Sequence, residues 1–220
     1  GLNCHKVTVN AAGALSTVAV DCATGDPLPP PPPTIFENFN SYSDGSLAGN
    51  NGGTGWFNTW SGDAGWNVQG TTVFEGAKAV AGTGDLAEII RTFTPAANTG
   101  ILTVAIRRSD KSAGNFWFGI RTGGPNGTGR GFLGMNTTDI IIAGGGGENP
   151  VTIVPGYSVD TWYVIHWSWD ATAATHKARL DSNPSWSANS VLTNTGDINE
   201  LRILPFPGMS GTAYFDDIKL

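Results

Sequence analysis

The chain has 220 residues, with 18 acidic side chains against 12 basic ones, a net charge of -6 and an isoelectric point near 4.9. That balance argues against a nucleic-acid groove, which needs clustered Lys and Arg to neutralise phosphates, and against acidic partners in general. No run of 18 apolar residues exists to cross a bilayer as a helix. Charged residues are only 14% of the chain, Gly reaches 31 and Trp 8, and the polar stretches are built from Ser, Thr and Asn. This is the profile of a β-rich extracellular protein. The sequence begins at Gly1 with no Met and no basic-then-apolar leader, which is expected of a mature or excised product.

The first element is a hairpin candidate. His5–Asn10 and Leu15–Val20 flank Ala12-Gly13-Ala14, and Cys4 and Cys22 sit symmetrically about Gly13. Folding the segment there brings the two sulfurs together and sets Val7 opposite Ala19 and Val9 opposite Thr17. A Cys4–Cys22 disulfide suits the secreted composition. An isolated two-stranded hairpin is marginal in water, so residues 1–26 are expected to act as an arm that packs on something else. Residues 27–33, Pro-Leu-Pro-Pro-Pro-Pro-Pro, read as a polyproline II spacer of roughly 20 Å.

From Thr34 the pattern becomes short period-two runs between Gly, Asn, Asp and Pro clusters, which predicts an all-β, two-sheet antiparallel sandwich over residues 34–220. Strands are expected at 64–69, 71–75, 86–94, 100–108, 114–121, 129–135, 138–142, 150–154, 161–170, 174–181, 199–205 and 212–220, with no helix of ordinary length. Alternation puts Phe116, Phe118 and Ile120 in the core and Asn115, Trp117 and Arg121 on the other side. The run Trp162–Asp170 is apolar on both faces and turns at Asp170–Ala174 into a hairpin partner at Thr175–Asp181. The glycine loops at 123–129 and 144–147 do not open helices, so they are not phosphate cradles. Ile35–Asn38 and Thr212–Leu220 look like the first and last strands of one domain. A carboxylate pair, Asp216-Asp217, stands inside the closing strand, where a buried charge must meet either water or a cation.

Three stretches together resemble the concanavalin A-like lectin/glucanase jelly roll, in particular its laminin-G-like members. They are Phe36-Glu37-Asn38-Phe39-Asn40-Ser41-Tyr42 followed by Gly45-Ser46-Leu47 and Gly55-Trp56; Asp160-Thr161-Trp162-Tyr163 with its hairpin; and Ala213-Tyr214-Phe215-Asp216-Asp217-Ile218. The resemblance implies a jelly-roll domain over 34–220 and says nothing of the N-terminal arm. It also implies a structural Ca²⁺ held by Glu37 and Asp216 at the seam between first and last strands, since that ion wants six to eight oxygens. The alternative for the acidic pair is a sheet edge with one carboxylate bonded to Lys or Arg.

Such folds host lectins, glycosidases, lyases and adhesion domains, so function must come from residues. A retaining glycosidase needs two carboxylates about 5 Å apart. No Glu-x-Asp-x-x-Glu motif occurs, and Glu88, the one mid-strand glutamate, lacks a partner in its own strand. His166 and Arg121 could serve lyase chemistry as groove neighbours, although a lone His is more often a satisfied structural side chain. No catalytic residue is therefore assigned. Sugar binding calls for exposed aromatic platforms with planar polar groups. Trp56, Trp60 and Trp66 cluster in a Gly/Asn-rich segment, and Trp117 with Arg107 and Arg121 are expected on the outer face of a central sheet; plugging the sandwich ends is the competing role for Trp56 and Trp66. Asn126 and Asn136 open glycosylation sequons. The expectation is an extracellular, non-catalytic domain that binds glycan or acts in adhesion. The alternative is a subunit of a filament or surface layer, lending its N-terminal strands to neighbouring copies.

Overall fold

The computed structural model describes residues 4–9, 15–20, 35–84, 86–122, 129–145, 147–193, 196–205 and 208–220. The chain divides into two compact units, Gly1–Pro33 and Thr34–Leu220. In the first, β1 (Cys4–Val9) and β2 (Leu15–Val20) pair antiparallel as a two-stranded sheet. The register sets Val7 opposite Thr17, His5 opposite Ala19 and Cys4 opposite Val20. The expected pairings of Val7 with Ala19 and Val9 with Thr17 are thus each off by two residues, since Val7 faces Thr17 and Val9 faces Leu15. Cys22, and with it the expected disulfide, lies outside the described residues, as does the proline spacer.

The second unit opens with short strands: β3 (Phe36–Glu37), β4 (Gly45–Ser46), β5 (Ser61–Gly62) and β6 (Asn67–Gln69). Longer ones follow in β7 (Ala79–Thr83), β8 (Ile89–Ala97), β9 (Thr99–Arg108), β10 (Phe116–Arg121), β11 (Gly129–Met135), β12 (Ile140–Gly144) and β13 (Val151–Val154). The unit closes with β14 (Tyr163–Asp170), β15 (Thr175–Leu180), β16 (Ser190–Val191), β17 (Ile198–Pro205) and β18 (Thr212–Lys219). All named pairings are antiparallel, and no helix occurs among the described residues.

Two sheets result. The smaller runs β13, β12, β11, β10, β17, β8, β5, and the larger runs β16, β15, β14, β9, β18, β7, β6, β4, with β3 also joined to β18. The chain is an all-β, two-sheet antiparallel jelly-roll sandwich. Most of the expected strands are present. The stretch 71–75 is instead an irregular loop, and β7, with its Gly and three Ala or Val, is a strand that alternation alone did not mark.

The core forms where the two inner faces meet. Alternate residues of β14, Ile165, Trp167 and Trp169, are buried, as are Phe116, Phe118 and Ile120 of β10. Phe215 stands at the centre, with rings of Phe39, Phe118, Trp60 and Trp66 within 5.5–6.4 Å. Edge-on and tilted pairs of this kind add to the burial of each ring.

The first and last strands meet as expected. Ile218 pairs with Glu37 and Lys219 with Phe36, and Ile35 and Leu220 exchange backbone hydrogen bonds. In the closing strand the register passes from Asp216 opposite Ala105 to Lys219 opposite Thr103, so Asp217 and Ile218 together face Val104. This is a β-bulge, and Asp217 takes the extra place with φ of 52°.

Candidate functional site

The tryptophan cluster is largely structural. Trp60 and Trp66 are 1% and 0% exposed, Trp66 donating its indole N–H to the Ala87 carbonyl at 3.1 Å. Neither can offer a ring to a ligand. Trp56 is half-buried, and the Arg91 guanidinium lies 4.8 Å from its ring and 5.4 Å from that of Trp60. The exposed aromatic of this segment is its neighbour Phe57, at 72%.

The expected calcium seam is filled from within the chain. Glu37 Oε1 accepts from the Phe39 amide at 3.0 Å, and Oε2 accepts from Tyr42 Oη and Arg91 Nη1, each at 2.6 Å. Burial and the Glu37 carboxylate push the Tyr42 phenol up to about 12, so it stays a donor. Arg91 also donates to the Gly52 and Asn58 carbonyls, collecting the kind of oxygens a metal would collect. Asp216 Oδ2 accepts from the amides of Phe74 and Glu75 at 3.1 and 3.2 Å, and Oδ1 from the Asp217 amide at 2.8 Å. Every oxygen of Glu37 and Asp216 thus accepts a hydrogen bond from a protein donor, and the Arg91 guanidinium brings positive charge to Glu37. Asp217 takes the other route open to the pair and accepts from Lys219 Nζ at 2.7 Å.

The outer face of the smaller sheet carries Trp117 and Arg121 together, as the alternation predicts. Arg107 is not with them. It lies on β9 in the larger sheet, over the Tyr214 ring and paired with Asp160 at 2.7 Å. Trp117 is only 8% exposed: its ring crosses Gly134, where a Cβ would clash with it, and meets Phe132 edge-on at 5.9 Å. Both glutamates of this face are neutralised, Glu200 by Arg121 and Glu88 by Arg202. Asn136 is half-buried, and its Oδ1 accepts from the Thr138 and Asp139 amides in a turn; Asn126 lies outside the described residues.

A richer arrangement stands on the outer face of the larger sheet, which the sequence reading passed over. Cross-strand pairing builds it in rows. Thr103, His166 and Arg179 form one, Ile101, Ser168 and Lys177 the next, and Thr99, Asp170 and Thr175 the last. His166 bridges its row, with Nδ1 3.0 Å from Thr103 Oγ1 and Nε2 2.7 Å from Asp181 Oδ1. That hydrogen bond holds the Asp181 carboxyl below the usual carboxylate range.

Trp186, on the segment beyond β15, has Lys177 Nζ and Arg179 Cζ 5.3 and 5.4 Å from its ring. Beside it lies a depression of about 280 Å³ lined by Thr99, Ser168, Asp170, Thr175, Lys177 and Asn189. At the other end of the face Trp162 meets Phe74 at a tilt and Tyr214 edge-on, with ring centroids 5.8 and 6.3 Å apart. Half-exposed rings, hydroxyls, an amide and ions of both signs are what a saccharide ring requires. The signal was present in the sequence. Trp162, His166 and Ser168 share a period-two face, and Lys177 and Arg179 share the facing one on the hairpin partner.

No protein-family profile matches the sequence, and no curated protein does. Solved structures of like fold include a sialidase at 10% identity, TM-score 0.53, covering 93% of this chain and 20% of that one. The binding domain of botulinum neurotoxin serotype D matches at 10% identity and TM-score 0.53 over 80% of this chain and 46% of its own. A mutant Trypanosoma rangeli sialidase displaying trans-sialidase activity matches at 9% identity and TM-score 0.50, over 90% and 32%. The chain therefore spans between a fifth and just under a half of the length of these proteins. At such identities the likeness is one of fold: a two-sheet antiparallel β-sandwich.

Proposed function

We propose that the chain is an extracellular, non-catalytic carbohydrate-binding or adhesion domain that holds saccharide on the outer face of the larger sheet. The observation that carries this reading is the depression lined by three hydroxyls, an amide, an ammonium and a carboxylate, whose Lys177 also lies 5.3 Å from the half-buried Trp186 ring. Sugar rings present an apolar face and a hydroxyl rim, and this set matches both. The reading assigns the chain to the concanavalin A-like superfamily, which the two-sheet sandwich supports. Non-catalytic action is supported by the arginines that neutralise Glu88 and Glu200.

The test is binding of the intact chain to immobilised glycans, with Trp186→Ala and Trp117→Ala as variants. Loss of signal with the first and retention with the second is expected. A binding signal lost only with Trp117→Ala would move the site to the smaller sheet, and no glycan signal at all would end the reading.

A second reading rests on the N-terminal unit. Among the described residues β1 and β2 pair only with each other, and a lone two-stranded hairpin is marginal in water. Lending these strands to a neighbouring copy would cover their free edges and build a filament or surface layer. Light scattering of the full chain against one starting at Thr34 tests it. A larger mass for the full chain alone is expected, and two monomers would end it.

A further inference from the structure

The outer face of the larger sheet holds two cations that form no ion pair among the described residues. Lys177 and Arg179 occupy alternate positions on β15, and both sit against the Trp186 ring. Elsewhere Lys78, Arg91, Arg107, Arg121, Arg202 and Lys219 each meet a carboxylate, while Arg108, Lys111 and Arg130 donate to carbonyl or hydroxyl oxygens. Asp181 is the acid nearest to Arg179 in sequence on this face. Arg179 helps to hold its carboxyl low, but the Asp181 hydrogen bond goes to His166. The chain carries an excess of six negative charges, yet among the described residues neither cation has a carboxylate within ion-pair distance.

Resting on the carbohydrate reading above, we propose that the site selects an acidic saccharide, a uronate-type sugar whose carboxylate meets Lys177 and Arg179. The net charge of the chain argues against acidic partners only as a sum, and a carboxylate a few ångströms from two cations feels the local field first. Trp186 supplies the platform under the ring, and the cations supply charge-assisted hydrogen bonds, about twice as strong as neutral ones. The site also has polarity. Asp170, whose Oδ1 accepts from the Ala173 amide, sits two rows from Arg179, next to Thr99 and Thr175. A carboxylate placed there would be repelled, so that end takes hydroxyls and the Lys177–Arg179 end takes the acid.

The experiment is calorimetric titration of the intact chain at low salt with a short polyuronate and with its carboxyl-reduced, neutral counterpart. The wild type is expected to bind the acidic form at least about tenfold tighter. Lys177→Met with Arg179→Met, which keeps the apolar stems, is expected to erase that preference, so that the acidic and neutral sugars bind with equal affinity. Lys177→Gln alone is expected to reduce the preference, and serves if the double variant misfolds. Equal affinity for the two sugars, or a preference that survives the variants, overturns the acidic assignment while leaving the carbohydrate reading in place. Failure of both sugars to bind overturns both.

Discussion

Arg91 Nη1 lies 2.6 Å from Glu37 Oε2, with the two side chains 1% and 0% exposed, at the seam where the opening strand meets the closing one. A guanidinium held by one carboxylate and two backbone carbonyls serves as the cation of the seam. Removing one member of a buried pair strands the other charge, at a cost of about 3 to 5 kcal/mol. Arg91→Met should therefore lower stability by that order in urea denaturation. Adding Glu37→Gln should restore much of the loss. An Arg91→Met protein as stable as the wild type would show that the pair carries no such role.

The same geometry bears on metal. Both oxygens of Glu37 and both of Asp216 accept hydrogen bonds from protein donors. Thermal melts of the chain in chelator and in millimolar Ca²⁺ should coincide, and Asp216→Asn should not alter that. A melting temperature that rises with Ca²⁺ and falls with chelator would return the cation to the seam.

Stability should respond to acid through two buried groups of opposite sign. Burial lowers His176 from 6.5 to about 4, so over that window the unfolded chain binds more protons and stability rises with pH. Burial raises Asp216 from 3.8 to about 6, against the pull of three amide donors. Over that window the native state binds more protons and stability falls as pH rises. The two effects offset each other in the wild type. Asp216→Asn should leave the His176 slope exposed, so its denaturation midpoint should climb more steeply between pH 4 and pH 6.5 than the wild type's. A slope equal to or shallower than the wild type's would contradict the assignment.

The two kinds of aromatic in the Gly/Asn-rich segment should separate cleanly. Trp60→Ala opens the core beside Phe39 and Phe215 and should cost about 3 to 5 kcal/mol. Phe57→Ala, at 72% exposure, should change stability by no more than about 0.5 kcal/mol. Equal losses in the two variants would mean that the segment packs differently.

Much of the fold was legible from period-two alternation: Ile165, Trp167 and Trp169 are buried while Val164, His166 and Ser168 are half-buried, and Phe116, Phe118 and Ile120 face the core although Trp117 and Gly119 between them are covered as well. The meeting of Ile35–Glu37 with Ile218–Leu220 was legible from their places at the two ends of the domain and from the resemblance to the jelly roll. The bulge at Asp217 was not, since nothing in Asp-Asp announces a positive φ. Nor was the partner of Glu37. A carboxylate in an apolar strand announces a need for positive charge, but Arg91 arrives from a strand 54 residues away, and only the folded register brings it there. The candidate site was half legible. Sequence clustering favoured Trp56, Trp60 and Trp66 because they are near in the chain. The Trp186 site draws instead on β9, β14, β15 and the segment after it, which pairing alone places side by side.

Hydrogen exchange of the intact chain, with and without a bound oligosaccharide, tests the central claim most directly. Protection on binding is expected in β14, β15 and the segment around Trp186, with β10 and β17 unchanged. Protection confined to β10 and β17, around Trp117 and Arg121, would contradict the placement of the site on the larger sheet.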